Sequence, residues 1–425
     1  MLTCDDGTGV GARVGVGVGV WKSFIGSTAT LYVTSTPMEN AAASTTRAAN
    51  TFTPLFLKNA LKREKKVLKL SSSKALKALY IPFYFICNRF TRHAFFLILL
   101  ECFEKGLYMN ITVIGCGRWG CFLAWYLDKL NHKVTLYGRP GSKRFAELRD
   151  TRQNKYMDIG ESIALSSDLL ACVKSADYIL ISIGAQGLRD FAHELSSLLP
   201  NDIPLVVCMK GLEEHTGKRL TTILGEYFPN KIAVWAGPGH VEDFVGGISN
   251  CMVIDSNNEE LKRELVDAFS GELIRFYYGT DLIGTEIGAA SKNVIGIAAG
   301  MLDGLNHASL KGALMSRGTR EISRLIKAMG GNELSAYGLA HLGDYSATVF
   351  SKYSHNRKFG EMYVRHNKYE DLAEGVPTST ALMILSKKYN VELPICNAVY
   401  QIIHEQKDAE EMLSDLFMRS IKNEF

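Results

Sequence analysis

Alternating strand and helix signals, followed by helices alone, predict an α/β chain: a doubly wound, mostly parallel sheet and then an all-helical C-terminal domain. Three observations carry this expectation. A glycine-rich turn joins a β-branched run to an amphipathic helix within residues 111–130. Further apolar runs recur at α/β spacing to residue 280, and the strand pattern stops after Asp281. The expected divisions are 1–108, 109–281 and 282–425.

At 425 residues the chain has room for two or three domains. Its 47% hydrophobic and 22% charged residues are an ordinary globular balance. A net charge of +4 is too mild for a large nucleic-acid surface. The nine cysteines include no C-x-x-C pair, which favours reduced thiols over a disulfide framework. No His/Cys cluster has metal-ligand spacing, and His341 and His355 do not supply one, so no metal is expected.

The first 108 residues differ from the rest. "GVGARVGVGVGV" is low-complexity, "LKNALKREKKVLKL" is basic, and "LYIPFYFICNRFTRHAFFLILLECF" is apolar but broken by Arg89, Arg92 and His93. Each apolar half is too short for a membrane span. Three readings stay open: an upstream or misassigned stretch with Met109 as the start, an organelle-targeting segment, or a membrane anchor. With the first of them the location is cytoplasmic.

From Met109 the elements follow in order. "ITVIG" suits a buried parallel strand and runs into Gly115-Cys116-Gly117-Arg118-Trp119-Gly120, a G-x-G-x-x-G before a helix from Cys121 to Leu130. In that context Gly115 and Gly117 allow the tight turn and close approach to a pyrophosphate. Gly120 lets helix and strand pack, so the domain is Rossmann-like and binds a dinucleotide. "HKVTLYGR" supplies the second strand, ending in Tyr137, Gly138 and Arg139 where an NAD-selective fold places a carboxylate. NAD or NADP is therefore the expected cofactor, with NADP tolerated and preferred; a solvated Arg139 is the alternative. "ADYILISIGA", "IPLVVCMKGL", "KIAVWAGPGH", "NCMVIDS" and "IRFYYG" continue the sheet. Lys210 falls just past a strand end, facing a phosphate or carbonyl unless it is an ordinary loop lysine.

The helical half holds "GAASKNVIGIAAGM", with Lys292 as its lone charge. At three and four positions on a helix its neighbours are Gly288, Ala289, Ile295 and Gly296, which leave room for a ligand and little water. Burial lowers an ammonium's pKa and suits it to proton transfer. The alternative is a lysine whose stem crosses the apolar face to solvent. Asn293 beside it and a downstream set, Asp344, Ser354, His355, Asn356 and Arg357, are donors and acceptors fit for a phosphate ester, or else a solvated loop.

Taken together, "ITVIGCGRWG", "AGPGHVEDFVGGI", "KNVIGIAAGMLDGL", "GLAHLGD", "NRKFG" and "AEGVPTSTAL" resemble the NAD(P)-dependent glycerol-3-phosphate dehydrogenase family of the bacterial type, over residues 109 to 405. The resemblance implies reversible hydride transfer between NAD(P)H and dihydroxyacetone phosphate, giving sn-glycerol 3-phosphate for glycerophospholipid synthesis. Lys292 matches the catalytic lysine, which exchanges a proton with the substrate's C2 oxygen. Lys210 matches a lysine near cofactor and substrate, and Asn293 lies beside them. Gly237, Asp344, Ser354 and Asn356 match substrate-binding positions. Trp119, Arg139, Val241, Leu372 and Glu374 match cofactor contacts, with Arg118 where a serine is usual.

Four departures stand out. Gly239 lacks a serine hydroxyl, and His355 replaces an arginine that contacts substrate phosphate or cofactor, with Arg357 beside it as a substitute. Ala308–Leu310 and Ile183–Ala185 also depart. Two rival readings remain: a related dehydrogenase for another hydroxy acid or phosphorylated ketone, and a catalytically decayed NADP-binding sensor. The partner expected is a small phosphorylated molecule, with a homodimer left open.

Overall fold

A computed structural model describes residues 108–420 and Asn423; the readings made for the leader lie outside the described residues, apart from Tyr108. Eight strands form one sheet in the order β3-β2-β1-β4-β5-β6-β7-β8. β1 (Asn110–Ile114) lies between β2 (Lys133–Tyr137) and β4 (Tyr178–Ile181), with β5 (Leu205–Val207) and β6 (Ile232–Ala236) beyond β4. The first six strands pair in parallel, with the chain order reversing between β1 and β4. In such sheets a ligand lies at the carboxyl ends of the strands, beside that reversal.

Alternation along each strand fills both faces. Leu180, Val206 and Trp235 enter one core, while Ile179, Ile181, Leu205, Val207 and Val234 enter the other. This is why the central strands read as unbroken apolar runs rather than alternating ones. The helices covering the sheet are α1 (Arg118–Lys129), α2 (Lys143–Thr151), α3 (Leu169–Lys174), α4 (Leu188–Ser196), α5 (Leu220–Tyr227), α6 (Val241–Val245) and α7 (Glu259–Phe269). Side-chain caps begin several of them: Ser142 Oγ accepts from Phe145 N, and Asn258 Oδ1 accepts from Leu261 N at 2.8 Å.

Two features differ from the sequence reading. β3 (Ala164–Ser166) is a three-residue strand that the apolar pattern is too short to reveal. β7 (Asn250–Asp255) meets β6 antiparallel and then pairs in parallel with β8 (Ile274–Tyr278), so the last two strands run against the first six. An apolar run carries no sign of its direction; only the length of the connection does.

From residue 282 onward the chain is helical. α8 (Leu282–Gly304) is 23 residues long, and 20 of them are buried. Around it lie α9 (Lys311–Ala328), α10 (His355–Val364), α11 (Gly375–Tyr389), α12 (Pro394–His404) and α13 (Ala409–Met418). Glycine lets α8 and α10 touch through their backbones. A Cβ on Gly300 would lie 1.8 Å from the Arg357 carbonyl oxygen, and one on Gly360 would lie 2.1 Å from that of Ile297. α12 starts with Pro394 at its first position, and the buried Glu321 carboxylate of α9 accepts from Ile395 N and Cys396 N, both at 2.9 Å. Among the described residues no helix is long and apolar enough to cross a membrane.

Candidate active site

A cleft of about 810 Å³ opens at the carboxyl ends of β1 and β4 and runs from Arg139 past the glycine turn to Lys292 and Ser354. That volume suits a cofactor-sized ligand. A second cavity of about 640 Å³, among α8, α9, α12 and α13, has mostly aliphatic walls such as Met301, Leu314 and Val399. Its buried carboxylate, Glu321, is already taken up by the start of α12. Convergent polar chemistry is in the first.

The outer part of the cleft is shaped for a dinucleotide. Gly115 adopts φ +107°, and a Cβ there would meet the Ser182 carbonyl oxygen at 2.3 Å. Gly120 lets α1 press against the Gly115 carbonyl and does not line the cleft itself. Gly117, the residue before α1, has no atom within 4 Å of where a Cβ would stand, so the helix N-terminus faces open space that a pyrophosphate fits. Trp119 and Val241 line the same stretch. Arg139 lines the cleft just past the end of β2, with Asp190 and Glu194 of α4 on the same lining. Arg118 reaches across to Glu242 of α6 and lies 5.0 Å over the Tyr156 ring.

Glu374 closes the middle. One of its oxygens accepts from Ala185 N at 3.3 Å, and the other is buried with no hydrogen-bond partner in the protein. Burial raises the carboxyl's pKa. An orphaned acceptor of this kind fits the amide donor of a nicotinamide ring. Leu372, two residues earlier, is largely exposed on the same rim.

At the inner end stands Lys292. α8 carries it into the crevice, where it is 8% exposed. Its Nζ donates to Thr348 Oγ1 at 2.7 Å and lies 2.9 Å from Asp344 Oδ2. Lys210, in the loop after β5, donates to the same Asp344 oxygen at 2.6 Å and to the Gly237 carbonyl at 2.9 Å. Asp344 is buried. Desolvation lowers the Lys292 pKa to about 8, with the Lys210 charge acting in the same direction and Asp344 opposing both.

The loop bearing Asp344 is pinned from below. His341 Nδ1 donates to the Gly288 carbonyl of α8 at 2.8 Å, and its Nε2 accepts from the Tyr345 hydroxyl at 2.7 Å. Burial drives His341 down to about 4, so the ring stays neutral in this role. Thr348 belongs to a π-helical turn, Ser346–Phe350, and donates to the Asp344 carbonyl at 2.9 Å.

The structure gathers Lys210, Lys292, Asn293, Ser354, His355 and Asn356 around the cleft, with Asp344 and Gly237 supporting it from behind. Ser354 caps α10 by accepting from Arg357 N, and Asn356 Oδ1 accepts from Gly375 N at 2.9 Å. Arg357 is not brought there. Its guanidinium turns away to Asp303, to Glu361 at 3.3 Å and to the Ser351 carbonyl at 3.1 Å, because α10 presents it toward the end of α8. Sequence reasoning also passed over Thr348 and His240. Thr348 lies four residues after Asp344, one helical turn away, which was the available signal. His240 lines the cleft with a buried, unpartnered Nε2, and no spacing rule marks it.

Comparison with known proteins identifies the family. Residues 110–262 match the family model for the NAD-dependent glycerol-3-phosphate dehydrogenase N-terminus, and residues 281–414 match that for the C-terminus. The chain is 34% identical over 327 residues to a glycerol-3-phosphate dehydrogenase [NAD(P)+] of Thermoanaerobacter sp., covering 74% of this chain and 99% of that one. It is 35% identical over 331 residues to the enzyme of the same name from Fusobacterium nucleatum, covering 74% and 98%. A crystal structure of glycerol-3-phosphate dehydrogenase from Coxiella burnetii superposes with TM-score 0.69 at 26% identity, covering 74% of this chain and all of that one. Nucleotide turn, helical half and lysine pair thus occur together in a chain that belongs to the NAD(P)-dependent glycerol-3-phosphate dehydrogenase family.

Proposed function

We propose that this chain catalyses the reversible, NAD(P)H-dependent reduction of dihydroxyacetone phosphate to sn-glycerol 3-phosphate, a building block of glycerophospholipids, with Lys292 as the proton donor. The observation carrying this reading is the water-shielded Lys292 amine held by Asp344 and Thr348 at the inner end of the nucleotide cleft. When bound, the nicotinamide supplies hydride to the carbonyl carbon or takes it back in the reverse direction.

The residues of the chain do the rest. As an ammonium, Lys292 donates a proton to the oxygen on which negative charge develops, which removes the cost of forming an alkoxide in a dry cleft. In the reverse direction the neutral amine takes the hydroxyl proton. Asp344 and Thr348 hold the Nζ in place, and Lys210, anchored on the same carboxylate and on Gly237, adds a second positive charge beside the oxygen. Asn293, Ser354, His355 and Asn356 line the cleft where the phosphate-bearing end is held. Glu374 and Arg139 serve the nicotinamide end and a 2′-phosphate, with NADP preferred. The proposed location is the cytoplasm, with organelle targeting by residues 1–108 as the alternative; six free cysteines among the described residues suit a reducing compartment in either case.

The test is direct. Purified protein given NADPH and dihydroxyacetone phosphate should oxidise the cofactor, followed by its absorbance, and Lys292→Ala should bind NADPH normally yet turn over at a small fraction of the rate. A Lys292→Ala protein working near the wild-type rate overturns the reading.

A further inference from the structure

We propose that Tyr369 and Asp371 position the imidazole of His355 as a ligand for the phosphate group of the bound substrate. The inference rests on the reading of the cleft as a site for a phosphorylated ketone. His355 is the first residue of α10 and lines the cleft with Ser354 and Asn356. Its Nδ1 lies 2.7 Å from the Tyr369 hydroxyl and 3.7 Å from Asp371 Oδ2. Tyr369 is itself set edge-on to the Phe359 ring, centroids 5.9 Å apart. With Nδ1 engaged and the ring fixed, Nε2 is left for a ligand.

The surroundings suit an anion. The charged groups facing the ring are Arg118 from α1, Lys155 from the segment between α2 and β3, Lys358 from α10 itself, and Asp371 from the loop before α11. Arg118 is tied to Glu242, and the start of α10 adds its dipole. The neighbouring guanidinium is not available, because Arg357 is bound to Asp303 and Glu361.

An arginine at this place would be charged at every working pH, whereas an imidazole is charged only below its pKa. Burial lowers the His355 pKa, and Asp371 works against that lowering. Phosphate binding therefore weakens as pH rises through the imidazole's titration, and without Asp371 the weakening sets in at lower pH.

Steady-state kinetics on the full chain between roughly pH 5.5 and pH 9 test this. KM for dihydroxyacetone phosphate, KM for NADPH and kcat are read separately for wild type, Asp371→Asn, Tyr369→Phe and His355→Arg. The arginine variant reports how much of any pH dependence comes from the substrate's own phosphate. Relative to it, the wild-type substrate KM should rise about tenfold with pH, the difference made by losing a charge-assisted contact. Asp371→Asn should move that rise to lower pH with kcat near wild type, and Tyr369→Phe should raise KM throughout. Superimposed wild-type and Asp371→Asn profiles overturn the proposal, as does an effect confined to KM for NADPH. Should wild type fail to turn over the ketone, the functional reading falls separately, and calorimetry with inorganic phosphate decides the inference. Binding that weakens with pH and is lost in His355→Ala upholds it; equal binding by the two proteins overturns it.

Discussion

Lys210 and Lys292, one from the loop after β5 and one from α8, hold the same oxygen of a single buried carboxylate, at 2.6 and 2.9 Å from Asp344 Oδ2. The Lys210 charge disfavours the ammonium form of Lys292, and the shared carboxylate favours it. Asp344→Asn removes that charge while keeping the shape. It should lower kcat by about 10²-fold or more and draw the basic limb of the pH profile downward, since Lys292 then loses the group that favours its protonated form. A pH–rate series on Asp344→Asn checks both effects; an unmoved limb contradicts the shared-carboxylate account.

The direction of the reaction should set the sign of its pH dependence. With Lys292 titrating at about 8, ketone reduction needs the ammonium and should decline as pH rises past that value. Alcohol oxidation needs the free amine and should increase over the same interval. Measuring kcat in both directions on one preparation tests this. Lys292→Arg should rescue neither direction, because a guanidinium does not release its proton in this range.

Cofactor choice should turn on Arg139. Arg139→Glu places a carboxylate where NAD-selective sheets carry one and sets it against a 2′-phosphate. KM for NADPH should rise by about tenfold or more while KM for NADH changes little, as a lost charge-assisted contact is replaced by repulsion. Parallel titrations with the two reduced cofactors give the answer.

The crossing of α8 and α10 should tolerate no added methyl group. A Cβ on Gly300 overlaps the Arg357 carbonyl, and neither helix can retreat without moving Asn356 or Lys292. Gly300→Ala should cost on the order of 3 kcal/mol, at the upper end for an overpacked core. Urea unfolding of the variant against wild type measures this, and a change within error contradicts the close contact.

Much of this arrangement was legible before the structure. The glycine turn, the run of parallel strands and the shift to helices each carry a local signal, and so did Lys292, a charge amid small residues. What lay beyond reach was direction and distance. Nothing in "NCMVIDS" says that β7 turns against β6, and nothing in "SHNRK" says that Arg357 faces the end of α8 while His355 faces the cleft. A half-turn along a helix separates those two fates, and only the crossing with α8 decides which residue gets which. The four-residue spacing ties Thr348 to Asp344, but its contact with Lys292 lies 56 residues away along the chain, which no local spacing encodes.

The first turns of α8 belong to both halves of the molecule. Leu282 and Ala289 pack into the core on one side of the sheet, while Ile287 and Ala290 enter the helical core. Between them the buried Glu286 accepts from Thr221 N at 2.9 Å and from Thr221 Oγ1 at 2.6 Å, and pairs with Arg219 at the start of α5. Severing the chain at Asp281 would strand that carboxylate and strip an apolar sleeve from each fragment. The nucleotide half and the helical half therefore share one structural seam, and Lys292 sits on the very helix that forms it.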